Sequence, residues 1–271
     1  MRTYFIALTL VLFLPVAAWA QDKANQLADA LLINDLTAVM REEGFKSGQE
    51  VADAMLGGPS AGWTAILSQV YETDRMSALF RAAFAQALEG EDIDAMLTFF
   101  QSPQGQEIVT LELAARRAYL DEAVEEASKA ILQNPSAAQQ RRLALIEEFD
   151  ANNSLIDANV VGALNANLAF YQGLDQGGVF NGAMTEDRML SEVWEQEAEI
   201  RQNTTEWLYS YLLLAYEPLS DADFEAYIAF SDTPVGQAMN DALFEAFDVL
   251  FVDISLTLGL AVAEITKGQD I

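Results

Sequence analysis

The chain has no histidine and no cysteine. Imidazole bases, thiolate nucleophiles, His-ligated zinc, haem with a His or Cys axial ligand and Glu-x-x-His di-iron sites are therefore absent. Carboxylates, hydroxyls and a few cations remain. Lysine stands only at 23, 46, 129 and 267, never in a Ser-x-x-Lys spacing, so a Ser–Lys dyad has no candidate. No glycine-rich loop ends in Gly-Lys-Ser/Thr, and the glycines between 173 and 182 keep acidic and apolar company until Arg188, which does not suit a phosphate. A glycosidase needs two carboxylates at a set distance across a cleft, and among 42 acidic residues no pair stands out. Asp150, Asn152 and Ser154 open like a calcium loop, but Leu155 and Val161 occupy the positions that need Gly and Glu. The expectation is a protein that is not an enzyme, with no catalytic residues, no cofactor and no metal.

Charge narrows the partners. The 42 Asp and Glu stand against 14 Lys and Arg, for a net charge of −28. Nucleic-acid binding rests on Lys and Arg neutralising phosphates, so nucleic acid is excluded as a partner. Anionic membrane surfaces are disfavoured by the same repulsion. The acidity fits either solvation of the outer helix faces or attraction of a cationic partner or metal ion.

Residues 1–20 have the parts of a secretory signal: Arg2, an uncharged run from Tyr4 to Leu14, a break at Pro15 and the small-x-small Ala18-Trp19-Ala20. The competing reading is an uncleaved anchor, since Thr3–Ala20 approaches the roughly 20 residues that span a bilayer. Pro15 and the Ala-x-Ala site favour cleavage before Gln21 and a periplasmic product with no stable membrane anchor. Leu250–Ala263 comes nearest to a second span, but Asp253 interrupts it. The mature chain is long enough to bury a core without disulfides.

Composition and periodicity predict an all-α protein. Ala, Leu, Glu and Gln dominate, and these residues lose little side-chain freedom in a helix. Ile93, Met96, Leu97 and Phe100 form one helical stripe; Met239, Ala242, Ala246, Leu250, Ile254 and Leu258 form another over several turns. No alternating run reads better as a strand. Gly57-Gly58-Pro59-Ser60 reads as a loop, and the four glycines between 173 and 182 as the most flexible one. Ser102-Pro103, Thr233-Pro234 and Asn134-Pro135 each place a capping side chain before a proline suited to a first helical turn. Ser220 with Asp223 resembles a capping box.

A repeat organises the chain. Ile93–Gln106 aligns with Phe224–Gln237, 131 residues later. Apolar meets apolar along both helices, Phe99 falls opposite Phe230, and [Ser/Thr]-Pro-x-Gly-Gln recurs as Ser102, Pro103, Gly105, Gln106 and as Thr233, Pro234, Gly236, Gln237. The physical sense is a tight helix–helix corner: a capping hydroxyl, proline to start the next helix, and glycine for close backbone approach. The glutamines face solvent or satisfy loop carbonyls. The expected units are residues 21–133 and 141–271 with a linker at 134–140, arranged as an irregular helical bundle or array with a pseudo-twofold relation. Leu27–Met55 and Leu143–Leu168 do not align.

These motifs resemble a bacterial periplasmic family, the domain of unknown function 2059, here in two diverged copies. The resemblance rests on a short acidic-initiated helix, an aromatic and Ser/Thr-Pro-x-Gly-[Gln/Lys] opening a long helix, at Glu91–Gln106 and Asp221–Gln237. It implies a secreted helical domain and carries no activity or catalytic residues.

Aromatics gather in the second half, and Trp207, Tyr211, Phe244 and Phe251 are the candidates for a ligand pocket or an interface. The expected function is an exported, non-catalytic periplasmic protein acting through an unknown protein partner or as a homodimer. The alternatives are a binder of a small apolar or cationic ligand between the units, and a carboxylate-based hydrolase.

Overall fold

The computed structural model describes residues 16–269, with side chains from 21 to 268. Residues 1–15 of the expected leader lie outside the described residues. All regular structure among the described residues is α-helical, in the order α1 (Val16–Ala30), α2 (Ile33–Met55), α3 (Ala61–Val70), α4 (Thr73–Ala87), α5 (Ile93–Phe100), α6 (Pro103–Ala118), α7 (Glu122–Gln133), α8 (Ala137–Asn153), α9 (Leu155–Gln176), α10 (Glu186–Trp194), α11 (Glu197–Ala215), α12 (Asp221–Ser231) and α13 (Pro234–Gln269).

The helix starts follow local chemistry. Side chains of Ser60, Glu72, Asp92, Ser102, Asp121, Thr185 and Ser220 each accept a first-turn backbone N–H. Two expectations need correction. Asn134 does not cap α8: Ser136 does, in a full capping box with Gln139, so only residues 134–136 link the halves and 137–140 are already helical. The Ser220 box closes differently too, because the Ser220 hydroxyl donates to the Asp223 carboxylate at 2.5 Å while accepting the Asp223 N–H.

Two helix junctions turn within one or two residues. α1 passes to α2 through Leu32 (φ 55°, ψ 36°), and α8 to α9 through Ser154 (φ 52°, ψ 39°). Residues other than glycine rarely adopt this left-handed region, so both turns must be held by their surroundings.

The halves share their core. One apolar cluster joins Leu27, Ile33, Met40, Trp63, Phe80, Phe84, Met96 and Phe100 of the first half to Met239, Ala246, Leu250, Ile254 and Val262 of α13. A second joins Ile108 and Ala115 of α6 to Phe149 of α8, Leu208 and Leu212 of α11, Tyr216 just past its end, and Phe224 and Ile228 of α12. α13 of the second half packs along α4 of the first, and α6 and α7 of the first pack along α11 of the second. A third, smaller cluster of Val160, Leu164 and Val193 lies within the second half. The sequence units therefore interlock through the two larger clusters.

α13 is long and apolar enough to cross a membrane by length and composition, with a mean hydropathy of 1.9 over its most apolar window. Its stripe is used in the interior against α9 and α4, and Asp253, which interrupts that stripe, pairs with Arg75 of α4.

The closest packing is between α9 and α13. Gly173 is not in a loop: it lies inside α9 and is buried, where a Cβ would collide with the Leu256 carbonyl of α13. A Cβ on Gly259 would meet the Phe170 carbonyl of α9, and one on Gly177 would meet Ala263. Small residues four apart on each helix let the backbones touch. Because the obstructing atoms at Gly173 and Gly259 are backbone, they cannot move aside. Gly259→Val should lower stability by about 1–3 kcal/mol or more, measured by denaturant unfolding. Gly268→Val, where a Cβ meets only open space, should leave it within about 0.5 kcal/mol.

Candidate functional site

The repeated motif builds two matching corners. Ser102 Oγ accepts the Gly105 N–H at 3.1 Å, and Thr233 Oγ1 accepts the Gly236 N–H at 3.0 Å. Pro103 and Pro234 open α6 and α13. A Cβ on Gly105 would collide with the Phe99 carbonyl, and one on Gly236 with the Phe230 carbonyl. The glutamines face inward. Gln106 Nε2 donates to the carbonyls of Phe100 (2.6 Å) and Ala30 (2.8 Å); Gln237 Nε2 donates to those of Ser231 (2.8 Å) and Asn152 (2.9 Å). Ala30 and Asn152 lie beside the left-handed turns at Leu32 and Ser154. Each glutamine thus ties its corner to a helix end whose carbonyls have lost their intrahelical donors. Phe99 and Phe230 stack face to face, with ring centroids 3.9 Å apart and planes 6° apart.

Between the halves lies a seam of polar groups. On the inner face of α6, Ile108, Glu112 and Ala115 follow one helical stripe that the C-cap residue Tyr119 continues. The hydroxyl of Tyr216, the wholly buried C-cap of α11, donates to Glu112 Oε1 at 2.5 Å. Tyr211 donates to the Glu112 backbone carbonyl at 2.8 Å, and Tyr119 to Ser210 Oγ at 3.0 Å. Among the described residues Glu112 has no cation partner, because Arg116, one turn on, holds Glu43 of α2 through two bonds of 2.9 Å. Burial pushes the Glu112 carboxyl up to about 7, against a smaller lowering by the Tyr216 hydrogen bond. Burial, reinforced by the nearby carboxylate, also raises the Tyr216, Tyr211 and Tyr227 hydroxyls well above their ordinary range.

The four aromatic candidates do not form one face. Trp207 and Tyr211 stack, with centroids 5.1 Å apart, and Phe244 packs against the same cluster. Phe251 lies farther along α13, partly exposed and stacked on Phe247. Trp207 lines an open cleft of about 400 Å³ between α7, α9 and α11, with Glu125, Lys129, Asn159, Asn203 and Glu206. Lys129 is paired to Glu125 at 2.7 Å. A second open cleft, of about 300 Å³, lies between α7, α8 and α11.

The strongest outward apolar feature is on α10, where sequence reasoning did not place a site. Met189 and Val193 face the core, while Leu190 and Trp194, one turn apart, are 46% and 70% exposed. Glu186, Asp187 and Glu195 are exposed along the same short helix and just past its end, and Arg188 pairs with Glu192. At Asp150, the suspected calcium position, one oxygen accepts the Ile156 N–H and the other the Tyr209 hydroxyl. Among the described residues, no group of three or more acidic side chains is placed to hold a metal ion.

Residues 74–134 match a family described as an uncharacterized protein conserved in bacteria, domain of unknown function 2059. The match runs from α4 through α7 and contains the first motif, 102–106; the second motif lies beyond it. No curated protein and no solved structure matches the chain.

Each glutamine supplies two hydrogen bonds to backbone carbonyls, each bond contributing about 1 kcal/mol. Gln106→Ala and Gln237→Ala should each lower unfolding stability by about 1–3 kcal/mol, whereas Gln101→Ala, on the exposed C-cap of α5, should not. Equal, negligible losses in thermal melts of all three would refute the anchoring role.

Proposed function

We propose that the protein is an exported, non-catalytic envelope protein that works by docking a basic partner protein on the α10 face carrying Leu190 and Trp194. The observation that carries this reading is the 70% exposure of Trp194, next to Leu190 on a helix whose neighbouring face is already buried. Exposed tryptophan ringed by charge is the composition of an interaction hot spot. The rim is acidic, and the chain carries a net charge of −28. A second copy meeting this face symmetrically would set acidic rim against acidic rim, so a partner with a basic rim around an apolar pocket fits better. Export rests on the leader-like residues 1–20, and the absence of catalysis on the missing His and Cys.

We also infer that the two units arose by duplication and pack about a pseudo-twofold axis passing between Phe99 and Phe230. The matched corner bonds and the stacking of a residue on its own counterpart support this. A second functional reading, binding of a small cationic ligand, draws on the cleft lined by Trp207, Glu125 and Glu206 at the meeting of the two halves.

The test is a photo-crosslinking residue at 194, compared with one at the exposed Ala222 of α12, followed by binding measurements on the isolated captured protein. Trp194→Ala should weaken that binding by about 30-fold or more. Glu195→Lys should slow association and flatten its salt dependence. Identical capture at 194 and 222, or unchanged affinity in Trp194→Ala, would overturn docking through α10.

A further inference from the structure

We propose that Glu112 is a protonatable latch between the two halves: neutral and seated against Tyr216 in the packed state, and driven out of the α6–α11 seam when it ionises.

The geometry is that of an interface poised on one proton. Glu112 comes from α6 in the first half, and its hydrogen-bond partner, Tyr216, from the C-cap of α11 in the second. The titratable groups around it come from several elements. Arg116 on α6 is engaged with Glu43 of α2; Tyr211 lies near it on α11, Tyr216 just past the end of α11, and Tyr227 on α12. Glu112 forms no ion pair among the described residues, so a carboxylate there would have one hydroxyl donor and no countercharge. Glu112 is half-buried, and a charge held there without a partner is disfavoured relative to a neutral acid with one hydrogen bond. Packing does not require an acid at this position: six residues beyond the motif glutamine, the second half carries Leu243 where the first carries Glu112.

The sign follows from linkage. The carboxyl titrates at about 7 when packed, above its ordinary value of 4.5. The packed state therefore holds the proton more tightly than an opened or unfolded one. Stability from this group is full below about 4.5, declines as pH rises, and is gone above about 7. The latch holds in acid and releases towards neutral and alkaline pH.

The experiment uses the purified protein, its Glu112→Gln variant and its Tyr216→Phe variant. Infrared difference spectra across the titration should show a carboxylic-acid carbonyl band that persists to near neutral pH and is missing in Glu112→Gln. Between about pH 5 and 8, the wild type should lose about 3–8 °C of Tm more than Glu112→Gln, which keeps a polar group at the site without a titration. Hydrogen exchange in α6 and α11 should rise over the same interval in the wild type alone. Tyr216→Phe, which removes the donor to the charged form, should move the infrared midpoint upward. A carboxyl that is already ionised at pH 5.5, or a Glu112→Gln profile with the wild-type slope, would overturn the latch. So would a Tyr216→Phe midpoint that stays put.

Discussion

The approach of a carbonyl to a glycine sets the geometry on which the molecule depends. The Phe99 carbonyl lies against Gly105, and the Phe230 carbonyl against Gly236, closer than any side chain on those glycines would permit. The preceding short helix and the following long one meet almost backbone to backbone, so the departure angle is fixed by contact and not by loop length. Ser102 and Thr233 satisfy the new helix start, and proline removes an N–H that would otherwise be unpaired there. The glutamine next to each glycine then reaches a third helix end, at Ala30 or Asn152. Each corner thereby positions three helices with five residues.

That angle explains why the halves cannot be separated. Each corner sends its long helix across into the other half: α6 and α7 lie along α11, and α13 lies along α4. Burial of α13 against two elements accounts for an apolar content that would otherwise suit a membrane span. The tight α9–α13 contact adds backbone proximity through Gly173 and Gly259. The energetic consequence is cooperativity, because exposing either of the two larger core clusters requires removing a helix contributed by the other half.

Much of this could be read from residue types alone. Helix propensity, the stripes beginning at Ile93 and Met239, and the Ser102 and Thr233 caps are local properties, and the structure places them where local chemistry predicts. What could not be read depends on partners distant in sequence. Leu32 and Ser154 adopt left-handed turns because Gln106 and Gln237 hold the neighbouring carbonyls, and no propensity scale would place a Leu there. Gly173 sits among glycines that resemble a loop until the α13 backbone is set against it. Glu112 left a signal that was overlooked: with Ile108, Ala115 and Tyr119 it falls on the core-facing stripe of α6. The stripe marks burial, but its meaning required Tyr216, 104 residues away.

The two motif-bearing segments differ where their packing differs. In the first, Asp121 caps α7 and breaks the path of α6, so that α6 and α7 follow α11 as two pieces. In the second, Val252 stands 131 residues after Asp121, nothing there can cap a new helix, and α13 runs unbroken over 36 residues. The break opens clefts on either side of α7 and turns the inner face of α6 towards the tyrosines of α11. The unbroken helix instead closes over α9, with an apolar residue, Leu243, in place of Glu112. A corner common to both motif segments makes the scaffold. Any response to charge, proton or ligand then lies in residues that one segment has and the other lacks. Glu112 is one such residue, on the seam where the halves meet; Asp121 is another, and its cap sets the course of α7.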